Sequence, residues 1–158
     1  MSTRCKIKII DHTTLRKEID ALYEQSDPPD LANWAVLCAR RVLPHAKLSC
    51  ADLQLVEDGF RVNALWQTGT AGIYSIRQAG FRIHRIARNA PSEIACSALR
   101  AAGHAVGTGH MKEHAMHCSD YAIKTLELAF PGQTEIIERE RSWQRDALNK
   151  IRGRHEKP

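Results

Sequence analysis

Residues 92–130 read SEIACSALRAAGHAVGTGHMKEHAMHCSDYAIKTLELAF, a run without proline whose apolar positions recur at helical rather than strand spacing. Projected at about 100° per residue, Leu99, Gly103, Val106, His110, His114, His117, Tyr121 and Leu128 share one stripe. Ala98, Ala105, Met116 and Ile123 form a second stripe, well round the cylinder. A helix apolar on two sides needs neighbours on both, so this stretch belongs at the centre of the fold. Gly103, Gly107 and Gly109 each weaken a helix by about 1 kcal/mol relative to alanine. They predict a break or a close packing near Gly107 and Gly109, and two helices over about 92–106 and 110–130. Four of the chain's eight histidines fall here.

A chain of 158 residues, 43% hydrophobic, is one domain with a real core. No apolar run reaches the roughly 18 residues of a membrane span, and MSTRCKIKII lacks the apolar centre and cleavage site of a signal peptide. The chain reads as cytosolic. Cys5, Cys38, Cys50, Cys96 and Cys118 are an odd number without CxxC pairs, which suits small buried hydrophobes better than disulfides or a thiolate zinc site. The net charge of +5 permits an acidic partner without demanding one.

Outward from the centre every segment has helical period. Lys6 to Ile10 alternates, but nothing that follows could pair with a lone strand, so residues 1–12 are read as an extended arm. Thr13 or Thr14 can cap a first helix with Leu15, Ile19 and Leu22 inward, ending near Gln25. Ser26-Asp27-Pro28-Pro29 opens a second, prolines being harmless in a first turn; it carries Leu31, Trp34, Leu37, Cys38 and Val42 inward and stops at Pro44. A third, from Cys50 or Asp52 to Trp66, turns Leu53, Val56, Phe60 and Ala64 inward before Gly69. A fourth, about 71–89, buries Ile73, Ile76, Ala79, Gly80, Ile83, Ile86 and Ala87, and sets Arg77, Arg85 and Arg88 with Phe81 on its other side, His84 at the boundary. Pro131-Gly132 precedes a last helix, about 134–151, with Ile137, Trp143 and Leu148 inward. Its ERERSWQRD stretch alternates in sign and reads as a solvent-facing helix with local ion pairs. The fold class is all-α: a single-domain bundle of about six or seven helices over 13–151, with a frayed tail at 152–158.

Four pieces occur in order: NWAVLCARRVLP (33–44), FRIHRIAR (81–88), AGHAVGTGHMKEHAMHCSDYAIKTL (102–126) and ERERSWQ (138–144). Together they resemble the immunity-five-like helical family of bacterial polymorphic-toxin systems, over roughly residues 30–148. The resemblance implies an all-helical bacterial protein that neutralises a toxin by binding it. It also marks His84, His104, His110, His114 and Tyr121 as family-typical polar positions, candidates for a binding site. Glu113 and His117 depart from the small neutral residues expected there, and Pro44 cuts a helix that often continues.

Taken without the family, His110 and His114 are i,i+4, with His117 a turn further on. Two imidazoles so spaced can offer two metal ligands from one helix, with His84 or His104 completing the site from another. HMKEH also satisfies H-x-x-E-H, with Glu113 as the would-be base, but that enzyme class needs a carboxylate ligand well downstream and the chain ends soon after. Histidines hydrogen-bonded beside a core are the simpler reading. Converging histidines would be mostly neutral at pH 7, with Tyr121 as a polar partner. The arginine face with Phe81 could grip phosphate and stack a base, yet one turn-spaced row is ordinarily solvated surface, and nucleic acid is set aside. The reading is a non-enzymatic immunity protein whose partner is a protein toxin, with no cofactor required. The competing class is a metal-binding bundle or metal-dependent hydrolase built on His104, His110 and His114.

Overall fold

The computed structural model describes residues 2–155, and among them every regular element is helical. Helix α1 is Thr13–Glu24, α2 Pro28–Val42, α3 Cys50–Gln67, α4 Ile73–Arg88, α5 Glu93–Gly107, α6 His114–Ala129 and α7 Thr134–Arg152. A 3-10 turn, Leu43–Ala46, carries Pro44 past the end of α2. The all-α expectation and its count of helices both hold.

Helix α5 is the hub. It packs against α2, α3, α4 and α6, while α2 reaches on to α3, α6 and α7, and α1 lies along α7. Small side chains permit this, since Ala95, Ala98, Ala101, Ala102, Gly103 and Ala105 are all buried and let neighbouring backbones approach. At Gly80 of α4 even a methyl group would stand only 3.5 Å from the Gly103 carbonyl oxygen. The NWAVLCARRVLP segment supplies the other half of the core: Trp34, Ala35, Cys38, Ala39, Val42 and Leu43 are buried. The Trp34 indole N–H donates to the Gln144 carbonyl oxygen across 2.8 Å, tying α2 to α7.

Several local expectations change. The α1 cap is His12, whose Nδ1 accepts from the Leu15 amide at 3.2 Å; Thr13 and Thr14 are already inside the helix and exposed. Ser49 caps α3 in the ordinary way, its hydroxyl accepting from Asp52 N. Leu37, Leu53, Ala64 and Ile73 are exposed; on α3 the packed side is the one that carries Gly59 and Asn63, which are buried instead of Leu53 and Ala64. Cys38 and Cys118 are buried, Cys5 and Cys96 half-buried, and Cys50, in the first turn of α3, is exposed.

The largest correction concerns α7. Glu140, Arg141 and Gln144 are buried while Glu138 and Arg139 are exposed, so the ERERSWQ stretch carries a core face beside its solvated one. Its partners come from far away in sequence. Arg141 donates to both Asp11 oxygens at 2.8 and 2.7 Å, to Asp120 at 2.8 Å and to Gln144 at 2.9 Å. Arg41 pairs with Glu140 at 2.9 Å and lies 4.0 Å over the Trp143 ring.

Residues 2–12 run without regular structure and cross this charged seam. The Thr3 amide and hydroxyl both donate to Asp20 of α1, Lys124 donates to the Lys8 carbonyl oxygen at 3.2 Å, and the Ile10 amide to Glu127 at 3.2 Å. At the other end, of the tail expected over 152–158, Arg152 closes α7, His155 meets Asp30 at 2.9 Å, and residues 156–158 lie outside the described residues.

Candidate functional site

The glycines of AGHAVGTG and the histidines around them form one packing unit. Helix α5 ends at Gly107, residues 108–113 make an irregular turn, and α6 restarts at His114. The break falls where the glycines predicted it, and the reason is aromatic. A Cβ on Gly103 would come within 2.6 Å of the His84 ring, one on Gly107 within 3.2 Å of the His114 ring, and one on Gly109 within 2.8 Å of the Trp66 ring. Each glycine is a seat on which an aromatic ring from another segment lies.

Two of the rings thus seated, His84 and His114, belong to a chain of rings. His84 of α4 and His104 of α5 meet edge to face, with centroids 4.9 Å apart. His104 and His114 are 5.0 Å apart and share a hydrogen bond between their Nδ1 atoms at 2.8 Å. That contact makes one Nδ1 the donor and the other the acceptor, so at least the accepting ring is neutral. His117 stands 5.3 Å from His104 and 5.8 Å from His114, and Tyr121 stacks on His104 at 5.3 Å. Tyr121 therefore meets the histidines with its ring face instead of the hydrogen bond expected of it. His110 lies in the turn, its centroid 6.0 Å from His114. HMKEH is not a helical segment, so His110 and His114 do not project from one helix as the i,i+4 reading required. Among the described residues, no group of three or more His, Cys, Asp or Glu side chains has the geometry to hold a metal ion.

Electrostatics follow from burial. His84 and His114 are pushed down to about 4, first by desolvation and then by neighbouring positive charge: Arg100, which donates to His84 Nδ1 at 2.9 Å, for the one, and His117 for the other. His104, in the middle of the chain of rings, is lowered further still by burial and by His84. His117 is lowered by burial and by Lys6 of the arm. One helical turn beyond His117, Asp120 is buried; burial alone would raise its pKa, but Arg16 and Arg141 hold it below the usual carboxylate range. Sequence reasoning missed this second half of the site. Asp120, Arg16 and Arg141 carry no local motif, and only the ERERSWQ match pointed toward Arg141.

Between the chain of rings and the arm lies a cavity of about 320 Å³, lined by Lys6, Ile7, His104, His114, His117, Asp120 and Tyr121. His84 and His110 are not among its lining residues, so the five family-typical positions divide: His104, His114 and Tyr121 face the cavity, while His84 and His110 flank the chain of rings.

The four segments carrying the resemblance thus supply the α2 core, the ring seats and the buried face of α7. The family model described as Imm-5 like putative immunity protein matches residues 21–151. The chain belongs to the Imm-5 like family. No curated protein and no solved structure matches it. The Imm-5 like match spans all seven helices except the first two turns of α1, and leaves out the arm that closes the cavity.

Proposed function

We propose that the protein is an immunity protein that binds a cognate bacterial toxin stoichiometrically and neutralises it, without catalysis and without a resident cofactor. The family supports the class, and the surface of α4 supports the mode. Tyr74, Arg77, Phe81, Arg85 and Arg88 make one solvent-facing stripe, with Tyr74 75% and Phe81 58% exposed. Helix α4 contains no acidic residue, and Arg77, Arg82, Arg85 and Arg88 make no ion pair among the described residues. Unpaired arginines set between exposed aromatics are the composition of an interface centre, where Tyr, Trp and Arg carry most of the binding energy. The partner that fits is a protein with an acidic surface, because complementary potentials raise the association rate and suppress wrong partners.

The test is direct. The product of the neighbouring reading frame should form a one-to-one complex with this protein and lose its toxicity on binding. Replacing Arg77, Arg85 and Arg88 together by glutamate should slow association about tenfold or more at low salt, with the gap narrowing as salt rises. Complex formation that is indifferent to the triple variant would move the interface off α4. No complex and undiminished toxicity would sink the immunity reading itself. Elemental analysis of untagged protein should find less than roughly a tenth of an equivalent of zinc, iron or nickel, since a resident structural metal would copurify near one equivalent. No helix among the described residues is long and apolar enough to cross a membrane.

A further inference from the structure

The cavity under the arm has features that packing does not account for. His117 is only 8% exposed, yet its imidazole makes no hydrogen bond among the described residues. No fully sealed side-chain nitrogen or oxygen lacks a partner, so the unpaired nitrogens of His117 must open onto space, and that space is the cavity they line. Tyr121 and Lys6 line the same cavity, and among the described residues the Tyr121 hydroxyl makes no hydrogen bond and Lys6 no ion pair.

We propose that this cavity binds a phosphate-sized oxyanion. The available groups decide the sign of the ligand. Asp120 is the cavity's carboxylate, and both its oxygens are already engaged, Oδ1 by Arg16 at 2.9 Å and Arg141 at 2.8 Å, Oδ2 by Arg16 at 2.9 Å. With Asp120 neutralised by two guanidinium groups, the cavity offers a cation no unpaired carboxylate and sets the Lys6 charge against it. An anion instead has three lining residues able to donate to it, Lys6 through its ammonium, Tyr121 through its hydroxyl and His117 through an imidazole N–H, around about 320 Å³. The two arginines that neutralise Asp120 add no negative charge to oppose it. Lys6 and Ile7 come from the arm, so the ligand would also hold the arm down. This site is separate from the α4 stripe and stands whether or not that stripe binds a toxin.

Imidazole resonances of the full chain, followed during titration with inorganic phosphate at constant ionic strength and neutral pH, test the proposal. His104, His114 and His117 should shift together and saturate in the millimolar range or below, while His45 and His155, which lie outside the cavity, should not. The exposed Lys6→Met should weaken binding about tenfold, the loss expected for one charge-assisted hydrogen bond, and His117→Gln should do likewise. Lys6→Met leaves the core untouched, so it decides the matter even where His117→Gln unfolds the protein. Absence of a saturable phosphate shift, or an affinity unchanged in Lys6→Met, would overturn the proposal. Saturable shifts with zinc chloride and none with phosphate would also overturn it, in favour of a metal centre.

Discussion

Gly103 shows how much one missing methyl group decides. Its Cα face carries the His84 imidazole, with ring atoms at 2.6–2.9 Å from where a Cβ would stand. Alanine would gain about 1 kcal/mol in helix propensity, but the ring cannot yield freely, because Arg100 holds His84 Nδ1 at 2.9 Å. Overpacking of this kind costs about 1–3 kcal/mol. Gly103→Ala should therefore be destabilising on balance in urea unfolding. Gly103→Ala combined with His84→Ala should recover stability relative to the sum of the two single changes, a coupling that appears only if ring and glycine compete for one space. Part of this was legible beforehand: glycines inside a helical period marked the break, whereas the stripe of His110, His114 and His117 assumed a helix that the break interrupts and left out His104, on which the rings centre. Which ring sits on which glycine was not legible, because Trp66, His84 and His114 arrive from three different segments.

At the scale of the helix, α7 is where periodicity misled. Alternating charge in ERERSWQRD has the look of a surface, and by the same pattern Arg145 is indeed only half-buried and pairs with Glu18 at 2.8 Å. Arg141, four residues earlier, is fully buried. Its partners Asp11 and Asp120 stand 130 and 21 residues away, and no local pattern encodes such a meeting. Burial would weaken its charge, but the hydrogen bonds from Arg141 to Asp11 and the field of Asp120 raise its pKa nonetheless. Removing one partner of a buried pair leaves the other uncompensated, at a cost of about 3–5 kcal/mol. Arg141→Met should lose that much in denaturant midpoint measurements, whereas Arg145→Met, on the partly solvated side of the same helix, should lose far less. Trp34→Ala should cost about 3–5 kcal/mol, since the ring is fully buried and its N–H anchors α7 through Gln144. The aliphatic positions of α2 were readable because a buried helix announces itself by apolar content; a buried salt bridge does not.

For the molecule as a whole, the ring chain makes stability depend on pH. The folded pKa values of His84, His104, His114 and His117 all lie below the unfolded value near 6.5. The unfolded chain therefore binds more protons, so the stabilisation is complete above about pH 6.5 and is lost as pH falls from there through about 4. Asp120, whose folded pKa is also depressed, adds a second loss that begins as pH enters the ordinary carboxylate range and continues below it. Stability measured by chemical denaturation should fall steadily from pH 6.5 downward, and His114→Gln should flatten that fall. A curve flat to pH 5 in the parent protein would mean the rings are solvated. The arm has a further consequence, in the order of events during synthesis. Asp11 leaves the ribosome early, but Arg141, which receives it, is made near the end. Until α7 has been made and docked, the arm has Asp20, Lys124 and Glu127 to hold it, yet no guanidinium to match its own carboxylate. Nascent chains arrested before α7 should therefore show fast amide exchange at His12, whose amide bonds to the Asp11 carboxylate at 2.8 Å, and the complete protein slow exchange. The histidine cavity would then be the last part of the molecule to be roofed.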